Sequence, residues 1–562
     1  MRSLKFQLAF KNIKRLRDIV KVMTRHGFRP LMDVLRLTKV MSVRDRILRR
    51  LPVPGKEELT VPVRARQALE ELGPTFIKFG QILSTRPDIV PHEFVTEFLK
   101  LQDSVPPFPF KETVKVIEDE FKRPVSELFE SIDKRPVAAA SIAQVHRAVT
   151  KDGKEVVIKV QRPGIEQTID KDVSILGYIA RLAVRYIPDS RNYDPVGMVD
   201  EFSRVIKREM DFTLEASYTA RFKENFEGDD RVVVPGVLWG LTSRRVLTME
   251  RVEGIKVDSV EQLREAGIDT KKVAHLVADV FFKQVFEFGL FHGDLHSGNI
   301  FVLGPDKIAL VDFGIVGRID ANMKQHLADI LINFVSEDFE GLTQVYQRMG
   351  ILPENIDKTS FEREYYDIML HYFGRPFKHV KMGELMLDYI RLAAKHNIML
   401  PRELLLFDKC IMELEGLSRL LFPEANILKE SEPYAARLYA ERVSPVRMAK
   451  ETAAAVSEYA DFIRRFPGQA DELMKKVIED RLSIEFVHKG LEDFMGEMDR
   501  SSNRLTFGII MAALVIGSSM VIVSGEAAPS VFGYPLLGVL GFVVASLLGL
   551  WLAIQIIRSG KF

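Results

Sequence analysis

Two stretches near the C-terminus carry no charge, residues 505–524 over 20 positions and residues 531–557 over 27. A helix rises 1.5 Å per residue, so about 20 apolar residues cross the hydrocarbon core of a bilayer. Both runs are long enough, and the second can tilt or start late, after Pro535. The break between them, Gly525-Glu526-Ala527-Ala528-Pro529-Ser530, is short and polar. The pattern predicts a transmembrane helical hairpin over residues 501–562. Arg500 and Arg504 precede the first run, Arg558 and Lys561 follow the second, and the break holds only Glu526. The positive flanks place both outer ends, and residues 1–500 with them, in the cytoplasm. Gly541, Ala545 and Gly549 recur at every fourth position. Such a face lets another helix approach closely, and either the first span or a second copy fits it.

The other end is the electrical opposite. Residues 1–50 hold 15 Lys/Arg against 3 Asp/Glu, a net of +12, so the rest of a chain whose total is +1 sums to −11. In residues 4–37, Leu8, Ile13, Leu16, Ile19, Val20 and Met23 recur near helical period, and Lys11, Lys14, Arg15, Arg17 and Lys21 share the remaining surface. This basic amphipathic arm, residues 1–55, suits an anionic lipid surface. It suits equally a helix packed on its own domain with a solvated basic face. A transit peptide is disfavoured, because the stretch is poor in serine. Near-neutrality of the whole chain argues against a nucleic-acid binder. With 562 residues, 47% hydrophobic and 28% charged, disorder is excluded and two or three folded units are expected.

The single cysteine, Cys410, excludes an intramolecular disulfide and a thiolate metal cluster. It lies in the apolar run 404–412 and reads as a small buried hydrophobe.

The chemistry lies in the middle. Residues 136–159 read PVAAASIAQVHRAVTKDGKEVVIK, with β-formers on both sides of Asp152-Gly153, a strong hairpin signal. Lys159 ends the second strand, where a phosphate-binding lysine would stand. Residues 291–299 read FHGDLHSGN, with Asp294 and Asn299 five apart, the spacing of a kinase catalytic loop. Thirteen residues beyond Asn299 stands Asp312-Phe313-Gly314, behind the strand-like Ile308-Ala309-Leu310-Val311. A strand-turn-strand between them would bring Asn299 and Asp312 to one Mg²⁺ on the phosphates of ATP. Asp294 would orient or deprotonate a hydroxyl or a water. His292 reads as structural. An acid must also orient Lys159. Glu209 and Glu215 share a helical stretch, and the pattern does not choose between them. Met249, Glu250 and Val252 follow the strand-like 245–248 and read as an inter-lobe hinge whose backbone meets adenine.

With these residues in place, the sequence resembles the UbiB-type (AarF/UbiB) atypical kinases linked to ubiquinone biosynthesis. The resemblance spans about residues 60–430, and the C-terminal hairpin is similar to that of bacterial members. Lys78-Phe79-Gly80-Gln81 matches the family's K-x-G-Q. Ala138-Ala139-Ala140-Ser141-Ile142-Ala143-Gln144-Val145 matches its alanine-rich nucleotide loop, and Glu209-Met210-Asp211 matches its E-x-D. The resemblance implies a regulatory pairing of Lys78 with Glu209 on the substrate side, with Gln81 and Asp211 beside it. It leaves Glu215 for Lys159.

The implied fold is α+β, an atypical protein-kinase-like two-lobed body. A helical extension with K-x-G-Q covers residues 56–130, an N-lobe 131–255, a C-lobe 256–430 and a helical stalk 431–500, broken at Pro467-Gly468 and leading to the hairpin. Two features set it apart from a typical protein kinase. Alanines stand where a flexible glycine loop would cover the phosphates, and each Cβ restricts φ. The stretch after Asp312-Phe313-Gly314 has no A-P-E and runs directly into a helical pattern from Met323. The expected activity is therefore Mg²⁺-dependent ATP hydrolysis at the bacterial inner membrane in support of isoprenoid quinone biosynthesis. Membrane lipid, quinone precursors and a biosynthetic protein complex are the implied partners. Phosphorylation of a protein or small molecule, and a nucleotide-sensing scaffold, are the competing classes.

Overall fold

The computed structural model describes residues 12–40, 59–442 except 85, 87–89, 102–104, 337, 354–355, 374–381, 397 and 426, and 491–559 except 525–528 and 532–533. Most of the expected stalk, including Pro467-Gly468, and residues 525–528 of the expected hairpin turn lie outside the described residues. The chain divides into two compact units, Met1–Ala449 and Lys450–Phe562.

In the first unit, an antiparallel sheet is built from β1 (Phe129–Ile132), β2 (Ala138–Ala139), β3 (Ala143–Thr150), β4 (Glu155–Gln161) and, after β5 (Val232–Val233, in another sheet), β6 (Val246–Glu250). Its order is β1-β3-β4-β6, with β2 on β3. The β3/β4 hairpin closes at Gly153, whose φ of +79° is open to glycine and strained for a side chain. Register sets Lys159 opposite Val145 on one side and Leu247 on the other. Side chains alternate along a strand. Val156, Ile158 and Val160 therefore pack with Val116 and Ile117 of the helix Phe110–Phe121. Val157 packs on the opposite face with Phe212 and Ala216 of the helix Phe212–Asn225.

A second sheet, order β5-β10-β9-β7, comprises β5, β7 (Ile255–Lys256), β9 (Ile300–Gly304) and β10 (Lys307–Leu310). Between β7 and β9 in sequence, β8 (Leu290–His292) pairs with β11 (Val316–Arg318). Residues 251–254 link β6 of the first sheet to β7 of the second. The remaining helices of this half include Thr270–Lys283, Ala321–Val335, Met382–Lys395 and Arg402–Leu421, and they share one core with the second sheet.

The basic arm departs from the single helix its periodicity suggests. Helix Ile13–Arg25 ends at a turn where Gly27 takes φ +85°, and a short helix Arg29–Val34 follows. Leu16, Ile19 and Val20 are buried against Phe76, Ile169, Leu176 and Phe202. Arg15 is anchored to Asp172 at 2.7 and 2.9 Å and to the Leu72 carbonyl at 2.9 Å. From Leu16 on, the apolar face that would lie on lipid is packed within the protein, whereas Leu8 and Lys11 lie outside the described residues. Part of the cover is Met32, Leu35 and Leu37 of the same arm and part comes from residues more than 40 positions away, and period alone carries no information about either.

In the second unit, helices Leu491–Ser524 and Leu536–Ser559 pack antiparallel. A methyl group on Gly538 would come 3.1 Å from the Ser518 carbonyl, Gly541 faces Ser518, and Gly549 faces Met511. Ala545 is buried. The small-residue face is thus taken by the neighbouring helix of the same chain. Leu505, Ile509, Met520, Leu537, Leu547 and Leu550 are exposed. Ser501–Ser524 is long and apolar enough to cross a membrane, whereas Leu536–Leu552 is a shorter apolar helix among the described residues.

Candidate active site

The alternation of β4 turns Lys159 toward the helix Phe212–Asn225, and that helix supplies its partner. Asp211 caps the helix, accepting from the Thr213 N–H at 3.1 Å and the Thr213 hydroxyl at 2.6 Å. Glu215 then falls in the first turn, with both carboxylate oxygens 2.9 Å from Lys159 Nζ. Lys159 also lies 3.4 Å from both oxygens of Asp312, which belongs to the other half of the unit. Burial opposes the charge of Lys159, but Asp312 and Glu215 outweigh it and hold the ammonium well above its ordinary range. Burial, against the pull of Lys159, pushes Glu215 up to about 7. Burial also works against ionised Asp312, yet Lys159 brings it down to about 2.

The second sheet brings the remaining candidates together. Ile300 and Leu310 are partners in the β9/β10 hairpin, and the Val311 N–H donates to the Asn299 carbonyl at 3.0 Å. Thirteen residues of sequence thus become neighbouring positions across one ladder. Asn299 donates its amide N–H to the Asp294 carbonyl at 3.0 Å, which leaves its side-chain oxygen for a cation. Asp312 has φ +60°, a left-handed conformation that is strained for a side chain. Phe313 behind it is buried and stacks on Phe222 at 4.5 Å. His292 is buried and its Nδ1 accepts from the Asp294 N–H at 3.1 Å, while Nε2 faces the Val311 carbonyl at 3.0 Å. It is a neutral brace between the two loops, with burial lowering its affinity for a proton.

One residue of this cluster escaped the motif search. Lys409, on the helix Arg402–Leu421, places Nζ 2.7 Å from Asp294 Oδ1 and 3.3 Å from Glu413 Oε1. Its other contact is the Gly293 carbonyl at 3.4 Å. Burial opposes ionisation of Asp294, but Lys409, with His296 Nε2 at 3.6 Å from its other oxygen, holds it below the usual carboxylate range. The signal was visible as Asp408-Lys409, a charged pair inside the apolar run 404–412. Cys410, next in the chain, is buried and its thiol faces the His292 carbonyl at 3.4 Å.

The other candidates line the approaches. Lys78 is ion-paired with Glu209, and Gln81 donates to the Leu101 carbonyl at 3.1 Å. In the alanine-rich loop, Val145 and Gln144 of β3 pair with Ala138 and Ala139 of β2, and the Ala140 N–H closes on the Ala143 carbonyl at 2.7 Å. Ser141, Ile142, Ala143 and Gln144 are buried. Gln144 ties the loop to the preceding helix through the Thr113 hydroxyl at 2.8 Å. Only part of this loop is exposed, chiefly Ala138. Met249 lies in β6 opposite Val157, Glu250 contacts Lys223 at 3.0 Å, and Val252 stands in the 251–254 link between the sheets.

The donor set fits a hard divalent cation. It offers the Asp312 carboxylate just after β10 and the Asn299 carboxamide oxygen just before β9, both types that Mg²⁺ prefers. In this state the positive charge facing Asp312 is the Lys159 ammonium.

Three family models match the chain: an ABC1 atypical kinase-like domain at residues 100–346, a UbiB helical domain at 365–426 and an ABC1/UbiB kinase-like C-terminal domain at 489–558. "Probable protein kinase UbiB" of Pseudomonas aeruginosa is 39% identical over 398 residues, 70% of this chain and 74% of the relative. An uncharacterized protein from the hydrogenase 1 5′ region of Clostridium pasteurianum is 30% identical over 98% of this chain and 99% of its own. The solved complex of Rv3197 with erythromycin from Mycobacterium tuberculosis is 24% identical, with a TM-score of 0.47, over 63% of this chain and 90% of that one. The relatives at 39% and 30% identity, each matched over more than two thirds of its own length, make the chain a member of the UbiB-type atypical kinase family.

Proposed function

We propose that this protein is a membrane-anchored, Mg²⁺-dependent ATPase of the kinase-like class that supports isoprenoid quinone biosynthesis. The observation that carries the reading is the meeting of Lys159, Glu215 and Asp312, from β4, the helix beside it and the β10 loop. Lys159 binds the α- and β-phosphates, with Glu215 holding its ammonium in place. Asn299 and Asp312 hold Mg²⁺, which neutralises charge on the phosphates. Asp294 orients the attacking water. Its pairing with Lys409 suits it to orientation rather than to taking a proton. The backbone of 249–252 meets adenine, and the exposed part of the alanine loop covers the phosphates. Lys78, paired with Glu209, restricts the substrate side.

Water is favoured as acceptor over a protein by the short path from Gly314 through β11 to the helix Ala321–Val335, which leaves no peptide-positioning segment. Membrane anchoring rests on the antiparallel helices of the second unit and their exposed apolar sides. The two uncharged runs and their basic flanks support two spans with a cytoplasmic catalytic part, and the family resemblance supports a bacterial inner-membrane location. Phosphate transfer to a protein or small molecule is the second reading, supported by the complete Asp294, Asn299 and Asp312 set. A nucleotide-sensing scaffold would need no turnover at all.

The test is ATP turnover by the full-length protein with and without anionic liposomes and prenylated phenols, beside the Asp312→Asn variant. Turnover stimulated by liposomes, lost in the variant and leaving no labelled product but phosphate from γ-labelled ATP, is expected. Labelled protein or lipid would overturn the choice of water.

A further inference from the structure

The helical half of the first unit contains a cavity of about 80 Å³, remote in chemistry from the phosphate cleft. Its wall is built from Phe282, Phe407, Tyr346 and Tyr389, with Asp408 set into it. Asp408 is 2% exposed, and its Oδ2 is buried with no hydrogen-bond partner among the described residues. No Lys, Arg or His lines the cavity among the described residues. Its chain neighbour Lys409 points the other way, to Asp294.

A carboxyl in such a wall is costly. Leucine would fill the same place without a buried polar atom. The wall also carries the hydroxyls of Tyr346, Tyr365, Tyr389 and Ser431, and the Tyr389 hydroxyl is buried without a partner among the described residues, so a water shared between Tyr389 and Asp408 is the competing occupant. A ligand that brings its own hydrogen-bonding atom would satisfy the acid. An engineered cavity of about 150 Å³ accepts benzene, so one ring requires the wall to yield. Met369, Met382 and Met386 line it, and unbranched methionines repack readily.

We propose that this cavity is a binding site for a small uncharged molecule with an apolar, ring-sized body and a single oxygen-bearing head, and that Asp408 anchors the head. Burial alone pushes Asp408 up to about 8, so the acid keeps its proton near neutral pH and can donate to an oxygen. A cationic head would require the opposite state. The inference is independent of the ATP reading, because it needs neither turnover nor nucleotide.

Three probes of nearly equal shape separate the outcomes: ethylbenzene, benzyl alcohol and benzylamine. Each is titrated against the full-length protein in lipid nanodiscs by saturation-transfer NMR, with empty nanodiscs as background. The wild type should bind benzyl alcohol about tenfold more tightly than ethylbenzene, the worth of one hydrogen bond to a buried group. Asp408→Leu should erase that preference. Ile411→Phe, which fills the cavity from its wall and keeps the acid, should abolish saturable binding of all three, and it serves if Asp408→Leu does not fold. Tightest binding by benzylamine would overturn the proposal. So would an alcohol preference that survives Asp408→Leu, or no saturable binding at all, which would leave a site for water only.

Discussion

The cleft and the helical cavity solve the same problem in opposite ways. Asp312 and Asp294 are each faced by an ammonium, Lys159 at 3.4 Å and Lys409 at 2.7 Å. Asp408, one residue from the lysine that serves Asp294, is faced by none among the described residues. The paired acids are held below the ordinary carboxylate range and the unpaired one is pushed above it. Asp408 is 2% exposed whereas Asp294 is partly buried and Asp312 is exposed, so the facing ammonium and, at Asp312, access to solvent together keep the acids of the cleft ionised. A carboxylate meant to hold Mg²⁺ or steer water must stay ionised, whereas one meant to satisfy a neutral partner need not.

The largest expected effect lies at Asp312. Asp312→Asn keeps the shape but removes the only ionised oxygen proposed for the cation, and should lower ATP turnover roughly 100-fold or more. Calorimetry on the same variant should show loss of Mg²⁺-dependent nucleotide binding. Full turnover in this variant would remove the cleft from the comparison altogether.

The two lysines should then part company. Lys159 bridges the two halves of the unit and is proposed to hold ground-state phosphates, so Lys159→Met should raise KM for ATP as well as lower kcat. Among the described residues Lys409 is bonded to Asp294, Glu413 and the Gly293 carbonyl, all within one half. Lys409→Met should lower kcat by about 10- to 100-fold and leave KM for ATP within about twofold, the signature of a group that acts through Asp294. Lys409→Arg should recover part of kcat. Equal rises in KM for both lysine variants would break the division between binding and orientation.

Why one lysine was legible and the other was not is a matter of sequence distance and pattern. Lys159 stood at the end of a hairpin strand with a turn signal before it, Asn299 and Asp312 stood at a spacing that a β-hairpin imposes, and Asp294 stood five before Asn299 in one loop. Those constraints are local, so the residues announce them. Choosing Glu215 over Glu209 needed the family resemblance, because both lie on helical stretches. The structure separates them by the cap at Asp211, which starts a new helix after Glu209. Lys409 reaches Asp294 across 115 residues, a contact set by helix packing in the core rather than by any period in the chain. The same limit hid the fate of the basic arm. Its amphipathic spacing declared an apolar face but not the surface, Phe76, Ile169 and Phe202, that covers it. The left-handed Asp312 was equally invisible, since nothing in its residue type asks for φ +60°.

The last effect concerns Asp408 and is read in stability rather than in turnover, and its sign is the sharpest check on the contrast with the cleft. The folded state binds the Asp408 proton until about pH 8, whereas an unfolded chain releases it near about pH 3.9. Between those values the folded state holds more protons, so this group's contribution to stability falls as pH rises and is flat above about 8. Tyr346 and Tyr389 line the cavity with it and are pushed well above the ordinary tyrosine range, chiefly by burial, so they do not titrate in this window. Lys409 of the same helix is paired with Asp294 and Glu413, and Glu413, raised chiefly by burial, is common to both proteins compared and drops out of their difference. Asp408→Asn has no proton to lose. Its stability relative to the wild type should therefore improve by about 3 kcal/mol on going from pH 5 to pH 8, of the order that the shift implies. Denaturant unfolding of both proteins at the two pH values measures the difference directly. A constant difference across that range would mean that Asp408 is ionised after all, and that a cation serves this acid as one serves each aspartate of the cleft.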